Sequence, residues 1–90
     1  MNAIITGSNR GIGNCMVHAF AEKGYNIWAC ARRQNDEFER EMRELSERTG
    51  REITPIYFDL SSEDELKKGV KEILAAKKPI DVLINNAGMI

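Results

Sequence analysis

The feature that most constrains the fold of this 90-residue chain is a regular alternation of two kinds of apolar segment. Short apolar runs lie at 3–6, 27–31, 53–58 and 82–84, and a longer segment with helical spacing separates each from the next. Strands that alternate with helices of this length indicate a parallel sheet with helices on both faces. The sequence therefore predicts a doubly wound α/β fold with the order β-α-β-α-β-α-β.

The predicted helices are marked by the residues that begin and end them. The first runs from Ile12 to about Lys23 and stops before Gly24, which tolerates the positive φ found after helix ends. The second begins after Asn35, whose side chain can cap it, and ends at Gly50. The apolar residues at helical spacing are Ile12, Cys15, Met16, Ala19 and Phe20 in the first helix and Phe38, Met42 and Leu45 in the second. Each set is expected to form one face of its helix.

A capping box over 62–65 predicts the start of the third helix. Ser62 can cap the first turn while Glu65, three residues later, returns a hydrogen bond. The helix continues through Leu66, Val70, Ile73 and Leu74.

Two strands indicate the order of the sheet. Ile27–Ala31 is apolar throughout, as expected for a strand buried on both faces. Pro55 cannot donate to the ladder, so it indicates an edge position for the third strand. Right-handed crossovers then favour the strand order 3-2-1-4 in one compact unit.

Composition excludes several partners. Hydrophobic residues make up 42% of the chain, charged residues 30%, and the net charge is −1. This balance predicts a soluble cytoplasmic protein that binds neither nucleic acid nor a membrane, since no apolar run approaches the roughly 20 residues of a spanning helix. Cys15 and Cys30 lack metal-site spacing and are expected to be reduced, buried thiols, and no metal site is predicted.

The segment with a chemical signature is the turn Thr6-Gly7-Ser8-Asn9-Arg10-Gly11-Ile12-Gly13, between the first strand and the first helix. Such a turn places backbone N–H groups and the positive helix end at the carboxyl edge of the sheet, where a pyrophosphate can bind. Gly7 permits the tight turn, Gly11 lets phosphates approach, and Gly13 allows close helix packing. No G-K-[S/T] follows, which disfavours a Walker-type phosphate loop. The pattern favours dinucleotide binding over a merely tight connection.

The end of the second strand favours NADP(H) over NAD. An NAD site usually has an acid there to bind the ribose hydroxyls. This chain has Arg32 and Arg33 instead, and a guanidinium can bind a 2′-phosphate bidentately. Arg10 in the glycine turn is expected to converge with Arg32 on that phosphate. The simpler interpretation is that these arginines are merely solvated. Methyl transfer from an adenosyl cofactor is a further alternative, but it would favour an acid near Ala31.

These residues resemble the short-chain dehydrogenase/reductase family. Residues 6–13 match its T-G-x3-G-I-G turn, Asp59-Leu60 matches its adenine-contacting pair, and 81–88 matches its D-x-L-x-N-N-A-G segment. The three motifs occur in the family's order and cover essentially the whole chain. The resemblance implies a Rossmann-type doubly wound sheet, of which residues 1–90 would be the N-terminal dinucleotide-binding part.

The resemblance also implies roles for individual residues. The Asp59 carboxylate would accept a hydrogen bond from the adenine amino group, and the Leu60 backbone would meet the ring. Asn86, Ala87 and Gly88 would line the adenosine side of the site, while Asn85 would tie the central strands together. Asp59 could instead cap the helix that follows Ser61 and Ser62. The implied cofactor-binding set is Gly7, Ser8, Asn9, Arg10, Gly11, Ile12, Gly13, Arg32, Arg33, Asp59, Leu60, Asn86, Ala87 and Gly88.

Members of this family carry a catalytic Ser and a Y-x-x-x-K pair downstream of N-N-A-G. Neither Tyr25 nor Tyr57 is followed by a lysine four positions later, and His18 is expected to lie on a helix surface. We therefore expect no catalytic residue in this chain and the catalytic half to be absent. The motif wording is similar to that of 3-oxoacyl-[acyl-carrier-protein] reductases, which implies a small-molecule or acyl-carrier-bound carbonyl substrate and a homo-oligomer.

Two functions stay open on this basis. The chain is either the cofactor-binding portion of an NADP(H)-dependent carbonyl reductase or a non-catalytic nucleotide-binding or assembly module. The first predicts hydride transfer in the complete protein, and the second predicts nucleotide binding without turnover, or none.

Overall fold

A computed structural model describes residues 1–86 and contains the seven elements in the expected order. They are β1 (Asn2–Ile5), α1 (Gly11–Glu22), β2 (Asn26–Ala31), α2 (Asp36–Thr49), β3 (Ile53–Tyr57), α3 (Glu63–Ala75) and β4 (Val82–Ile84). The strands pair in parallel in the order β3-β2-β1-β4. The predicted fold class and strand order are therefore confirmed, with Pro55 on the edge strand.

Helices cover both faces of the sheet. On one face, α1 and α2 pack through Val17, Ala21, Phe38, Met42 and Leu45 against the sheet residues Ala3, Ile5, Ile27, Ala29, Ala31 and Ile53. On the other face, Ile73 of α3 packs with Trp28, Cys30, Ile56 and Phe58. The buried run of β2 contributes to both cores, which explains why all five residues of Ile27–Ala31 are apolar.

The face that α1 buries differs from the prediction. Its buried residues are Gly13, Val17 and Ala21, whereas Ile12 is 69% exposed and Cys15 is also exposed. Helix α1 lies close to the sheet, so small residues occupy the line of closest approach, and the larger Met16 and Phe20 pack at its border. The apolar residues of the sequence therefore predicted a contact face that is displaced by about one residue from the observed one. The expectation that Cys15 is buried was wrong.

The predicted ends of α2 and α3 are confirmed in their main features. The Asn35 side chain accepts a hydrogen bond from the Phe38 amide at 3.1 Å, and Gly50 adopts a left-handed conformation with φ 71° after α2. The Ser62 hydroxyl accepts from the Glu65 amide at 3.3 Å. The return bond of the capping box goes elsewhere, because Glu65 accepts from the amide of Asp59 at 3.0 Å.

The topology leaves an opening at the carboxyl edge of the sheet. Helices α1 and α2, which connect β1, β2 and β3, lie on one face, whereas α3, which leads into β4, lies on the other, and the strand order reverses at β1. In open α/β sheets, ligands bind at such a switch point. Among residues 1–86, no helix has the length and apolar character needed to cross a membrane.

Candidate functional site

Two adjacent clefts lie at the carboxyl edge of the sheet. The first, which we call the strand-end cleft, has a volume of about 270 Å³. It is lined by Gly7, Asn9, Cys30, Ala31, Arg32, Phe58, Asp59, Leu60 and Ser61. The second, the turn cleft, has a volume of about 320 Å³ and is lined by Gly7, Asn9, Arg10, Gly11, Ile12 and Asn86. Because Gly7 and Asn9 line both, the glycine turn separates two halves of one extended site.

Ser8 holds the glycine turn in place. Its side chain is fully buried and donates to the Ile5 carbonyl at 2.6 Å, and its amide donates to the Cys30 carbonyl at 2.9 Å. The Asn14 side chain in turn donates to the Ser8 carbonyl at 3.1 Å. Ser8 was expected to contact the cofactor, but both of its donors are used within the protein. Its contribution is to shape the turn.

Gly13 sits where no side chain fits. A β-carbon built at this position would overlap the carbonyl group of Gly7 and approach Asn86 Nδ2 to 2.7 Å. Gly7 itself has φ 63°, a conformation that other residues rarely adopt. The turn can therefore lie directly on the start of α1 only with glycine at these positions.

The start of α1 differs electrostatically from those of α2 and α3. The latter two are capped by Asn35 and Ser62, and each has three acidic residues in its first turn. At α1 the cap position is Arg10, which forms no side-chain cap hydrogen bond, and the first turn has no acidic residue. The helix dipole and the uncapped amides there favour an anion.

The end of β4 is tied to the turn through Thr6. The Thr6 hydroxyl lies 3.2 Å from Asn85 Oδ1 and accepts from the Asn86 amide at 2.9 Å. Asn85 thus links the central strands β1 and β4, as expected. Asn86 lines the turn cleft, whereas the predicted site residues Ala87 and Gly88 lie outside the described residues.

Arg32 and Asp59 form an ion pair across the ends of β2 and β3. Arg32 Nε donates to Asp59 Oδ2 at 3.1 Å, and Asp59 Oδ1 accepts from the amide and the hydroxyl of Ser61 at 2.9 and 2.7 Å. The Ser61 hydrogen bonds, followed by the charge of Arg32, hold the pKa of Asp59 below its ordinary value. Asp59 is thus ionised at neutral pH and fixed in orientation. The alternative that Asp59 caps α3 was wrong, because Ser62 is the cap residue and Asp59 instead forms the turn before it through Ser61.

The predicted arginines occupy three different places. Arg32 lines the strand-end cleft, Arg10 lines the turn cleft, and Arg33 is exposed and lines neither of them. The expected convergence of Arg10 and Arg32 on one pocket is not present in residues 1–86. Asn9 lines both clefts, whereas Arg32 lines only the first of them and Arg10 only the second.

Sequence reasoning missed four residues of the strand-end cleft: Cys30, Ala31, Phe58 and Ser61. Their positions could have been inferred, because the carboxyl ends of parallel strands form the ligand-binding edge. Cys30 lines the cleft as an apolar, protonated side chain and not as a reactive thiolate, because burial raises the pKa of its thiol to about 12.

The side chains set aside as catalytic candidates are engaged in structural contacts. His18 Nε2 lies 2.7 Å from Glu41 Oε2, which joins α1 to α2. The Tyr57 hydroxyl donates to Glu39, and burial together with that carboxylate raises the pKa of Tyr57 above its ordinary value. A tyrosine that donates a proton in catalysis would need the opposite shift at neutral pH.

Comparison with known proteins places this geometry in a family. The family model of the short chain dehydrogenases matches residues 1–90. The 3-oxoacyl-[acyl-carrier-protein] reductase FabG of Chlamydia trachomatis is 38% identical over 89 residues, which cover 97% of this chain and 35% of the relative. The chain thus spans about a third of the length of the curated relatives it matches.

Solved structures show the same arrangement of elements. The L-sorbose reductase of Gluconobacter frateurii, complexed with NADPH and L-sorbose, superimposes with a TM-score of 0.87 at 32% identity, over 98% of this chain and 33% of that one. The 3-oxoacyl-[acyl-carrier protein] reductase of Brucella melitensis, in complex with NAD, gives 0.83 at 32% identity, with the same two coverages. Both contain a nicotinamide cofactor, and the two cofactors differ in the 2′-phosphate.

Proposed function

The chain belongs to the short chain dehydrogenase family, and from that premise we propose that residues 1–90 form an N-terminal dinucleotide-binding part that binds NADP(H). The adenosine half would occupy the strand-end cleft and the pyrophosphate the turn cleft. The observation that carries this proposal is the uncapped, acid-free start of α1 beside a strand end that carries Arg32 instead of an acid. An anionic ligand with a second, 2′-phosphate charge fits both features.

Individual residues take the following roles in this proposal. The amides of 9–13 would bind the pyrophosphate, Ser8 and Gly7 would shape the turn, and Arg32 would bind the 2′-phosphate. Asp59 and Leu60 would meet the adenine, with Asn86, Ala87 and Gly88 beside the adenosine. Arg10 would act on the pyrophosphate from the turn cleft, and Arg33 would add only diffuse positive charge.

The proposed preference for NADP(H) over NAD depends on one residue, Arg32. Since NADPH is present in the sorbose reductase complex and NAD in the Brucella one, the shared fold accepts either cofactor. A carboxylate in place of Arg32 would repel a 2′-phosphate, whereas a guanidinium attracts it. Arg32 therefore favours NADP(H) in this chain.

For the complete protein we propose carbonyl reduction. A hydride would pass from the nicotinamide C4 to the carbonyl carbon of a 3-oxoacyl thioester or a related ketone, and a proton would pass to the oxygen. The curated relative from Chlamydia trachomatis supports the thioester, whereas the sorbose reductase supports a different ketone. The residues of the strand-end and turn clefts bind and orient the cofactor in this reaction.

Calorimetric titration of the chain with NADPH and with NADH tests the cofactor proposal. NADPH is expected to bind about tenfold tighter or more, since a charge-assisted contact to phosphate adds on the order of 1.5–3 kcal/mol. Arg32→Asp should reverse this preference, while Arg33→Asp, an equal change of charge outside both clefts, should alter it little. Equal affinities that Arg32→Asp leaves unchanged would overturn the assignment, and no binding of either nucleotide would favour a purely structural module.

A further inference from the structure

Arg32 is held from one side only. Its side chain is 67% exposed, and within residues 1–86 its one side-chain hydrogen bond runs from Nε to Asp59 Oδ2. An exposed arginine without such a contact would sample many rotamers, and ordering it on a ligand would cost much of its rotamer entropy. The bond from Nε instead restricts the guanidinium to the mouth of the strand-end cleft.

Asp59 is suited to this task because it is itself immobilised. Ser61 donates to Asp59 Oδ1 with both its amide and its hydroxyl, and the Ser62 amide donates to the Asp59 carbonyl at 2.9 Å. The Asp59 amide donates to Glu65 Oε1. The carboxylate therefore cannot rotate without breaking the turn that starts α3, and its second oxygen stays directed at Arg32.

The guanidinium can bind two partners at once. Its Nε edge and its pair of terminal nitrogens are separate donor groups, so a carboxylate on Nε leaves the terminal pair for a second anion. Resting on the proposed NADP(H) function, we infer that Ser61 and Asp59 are positioning residues that orient Arg32 so that its terminal nitrogens bind the 2′-phosphate. In this arrangement an acid contributes to selecting the more negatively charged cofactor.

Two other roles of Asp59 make different predictions. If Asp59 acts only as a nearby negative charge, its removal should strengthen NADPH binding relative to NADH. If it acts only as an acceptor for the adenine amino group, its loss should weaken both nucleotides equally, because both contain adenine. Positioning of Arg32 predicts a third result, a selective loss of NADPH affinity.

The experiment measures the ratio of NADPH to NADH affinity for the 90-residue chain and four variants. Asp59→Asn presents an amide nitrogen or a weaker acceptor to Nε, and Ser61→Ala removes one bond to the carboxylate without a change of charge. Each should lower the ratio, by about three- to fivefold for Asp59→Asn and less for Ser61→Ala. Ser61→Thr retains a hydroxyl and should therefore keep the NADPH-to-NADH ratio of the wild type. Asp64→Asn is the charge-matched control, since Asp64 lies in the first turn of α3, and should leave it unchanged.

A lysine background supplies the decisive comparison. Lysine has a single ammonium group and no separate Nε donor, so Asp59 and the phosphate compete for the same nitrogen. In Arg32→Lys the ratio should fall, and adding Asp59→Asn to that background should raise it by roughly twofold or more, the opposite of its effect beside arginine. An effect of Asp59→Asn with the same sign in both backgrounds would overturn the positioning role.

Further measurements separate this inference from the function on which it rests. A wild-type chain that does not prefer NADPH refutes the NADP(H) proposal, whereas a preference that Asp59→Asn and Ser61→Ala leave intact refutes the positioning role alone. A carboxyl NMR titration of Asp59 checks the contact directly, because Ser61→Ala should raise its depressed pKa toward the ordinary value. The far-ultraviolet circular dichroism of each variant should match the wild type, since Arg32, Ser61 and Asp64 are exposed and Asp59 is only partly buried.

Discussion

At the scale of single residues, the site depends on atoms that are absent as much as on those that are present. Because Gly13 has no β-carbon, α1 can begin directly against the turn. Because no acid follows β2, the charged side chain that β2 contributes to the strand-end cleft is the guanidinium of Arg32. Ser8 illustrates the opposite case, a polar side chain entirely used in holding the backbone. Under the proposed function, the pyrophosphate would therefore be bound at this turn by main-chain amides.

Gly13→Ala tests the close approach at the turn. The new methyl group would overlap the Gly7 carbonyl, which is backbone and cannot rotate away, so unfolding should cost about 2–3 kcal/mol less, the upper part of the range for overpacked sites. Urea unfolding followed by circular dichroism measures this difference. Nucleotide affinity should fall with it, because the amides of the turn are displaced.

Gly11→Ala is the control for that substitution. A β-carbon at Gly11 meets no atom of the described residues 1–86 within 4 Å, but φ is 61°, so the expected cost is the left-handed strain alone, about 1 kcal/mol. If Gly13→Ala proved no more destabilising than Gly11→Ala, close packing of α1 on the turn would not be a constraint.

At the scale of elements, the three helices begin in two different ways. Helices α2 and α3 have side-chain caps and acidic first turns, which satisfy their amides locally. Helix α1 has neither, and its first residues, Gly11 and Ile12, line the turn cleft. A cap stabilises a helix start, and the start of α1, which lacks one, is the start that the proposed function assigns to the pyrophosphate.

Asn35→Ala should destabilise α2 without affecting nucleotide binding directly. The variant loses the side-chain bond to the Phe38 amide, and cap removals of this kind cost about 1 kcal/mol of unfolding free energy. Thermal unfolding measures the change. The neighbouring Gln34→Ala is the matched control, because Gln34 is exposed and its side chain donates to Asp36 Oδ1, another exposed group. Equal melting temperatures of the two variants would show that the Asn35 cap contributes nothing.

At the scale of the whole molecule, the sheet is asymmetric. The β3 edge carries Pro55, which has no N–H group to donate to a further strand, whereas β4 is paired on one side only within residues 1–86, to β1. Leu83 of β4 is 65% exposed and Ile80 is 43% exposed. An unpaired apolar edge readily pairs with another chain. The homo-oligomer expected from the family resemblance is a separate proposal, and it need not use this edge.

The 90-residue chain is accordingly expected to self-associate through β4. Sedimentation velocity at increasing concentration should show species larger than a monomer, and Leu83→Lys should reduce them, since a charge on an edge strand opposes pairing. Leu74→Lys is the comparison, because Leu74 is 60% exposed on α3 and not on a strand. A stable monomer at all concentrations would contradict the prediction, and equal effects of both variants would point to general apolar surface.

Most helices, strands and turns of the fold can be predicted from local sequence features with a known physical effect. The order of the elements, the order of the strands and the helix ends were predictable because each has a local signal. These signals are the uninterrupted apolar run of β2, the proline of β3 and the cap residues Asn35 and Gly50. The place of the glycine turn was also predictable, as were the tight turn at Gly7 and the close packing at Gly13.

Only tertiary structure decided which side chains meet. The buried face of α1 depends on how closely the helix approaches the sheet, which apolar spacing does not report, so the sequence misplaced Ile12 and Cys15. Ser8 proved to be fully buried, and Arg10 and Arg32 line different clefts, because direction in space depends on the path of the backbone. The contact between Arg32 and Asp59 joins residues 27 positions apart and exists only because β2 and β3 end side by side.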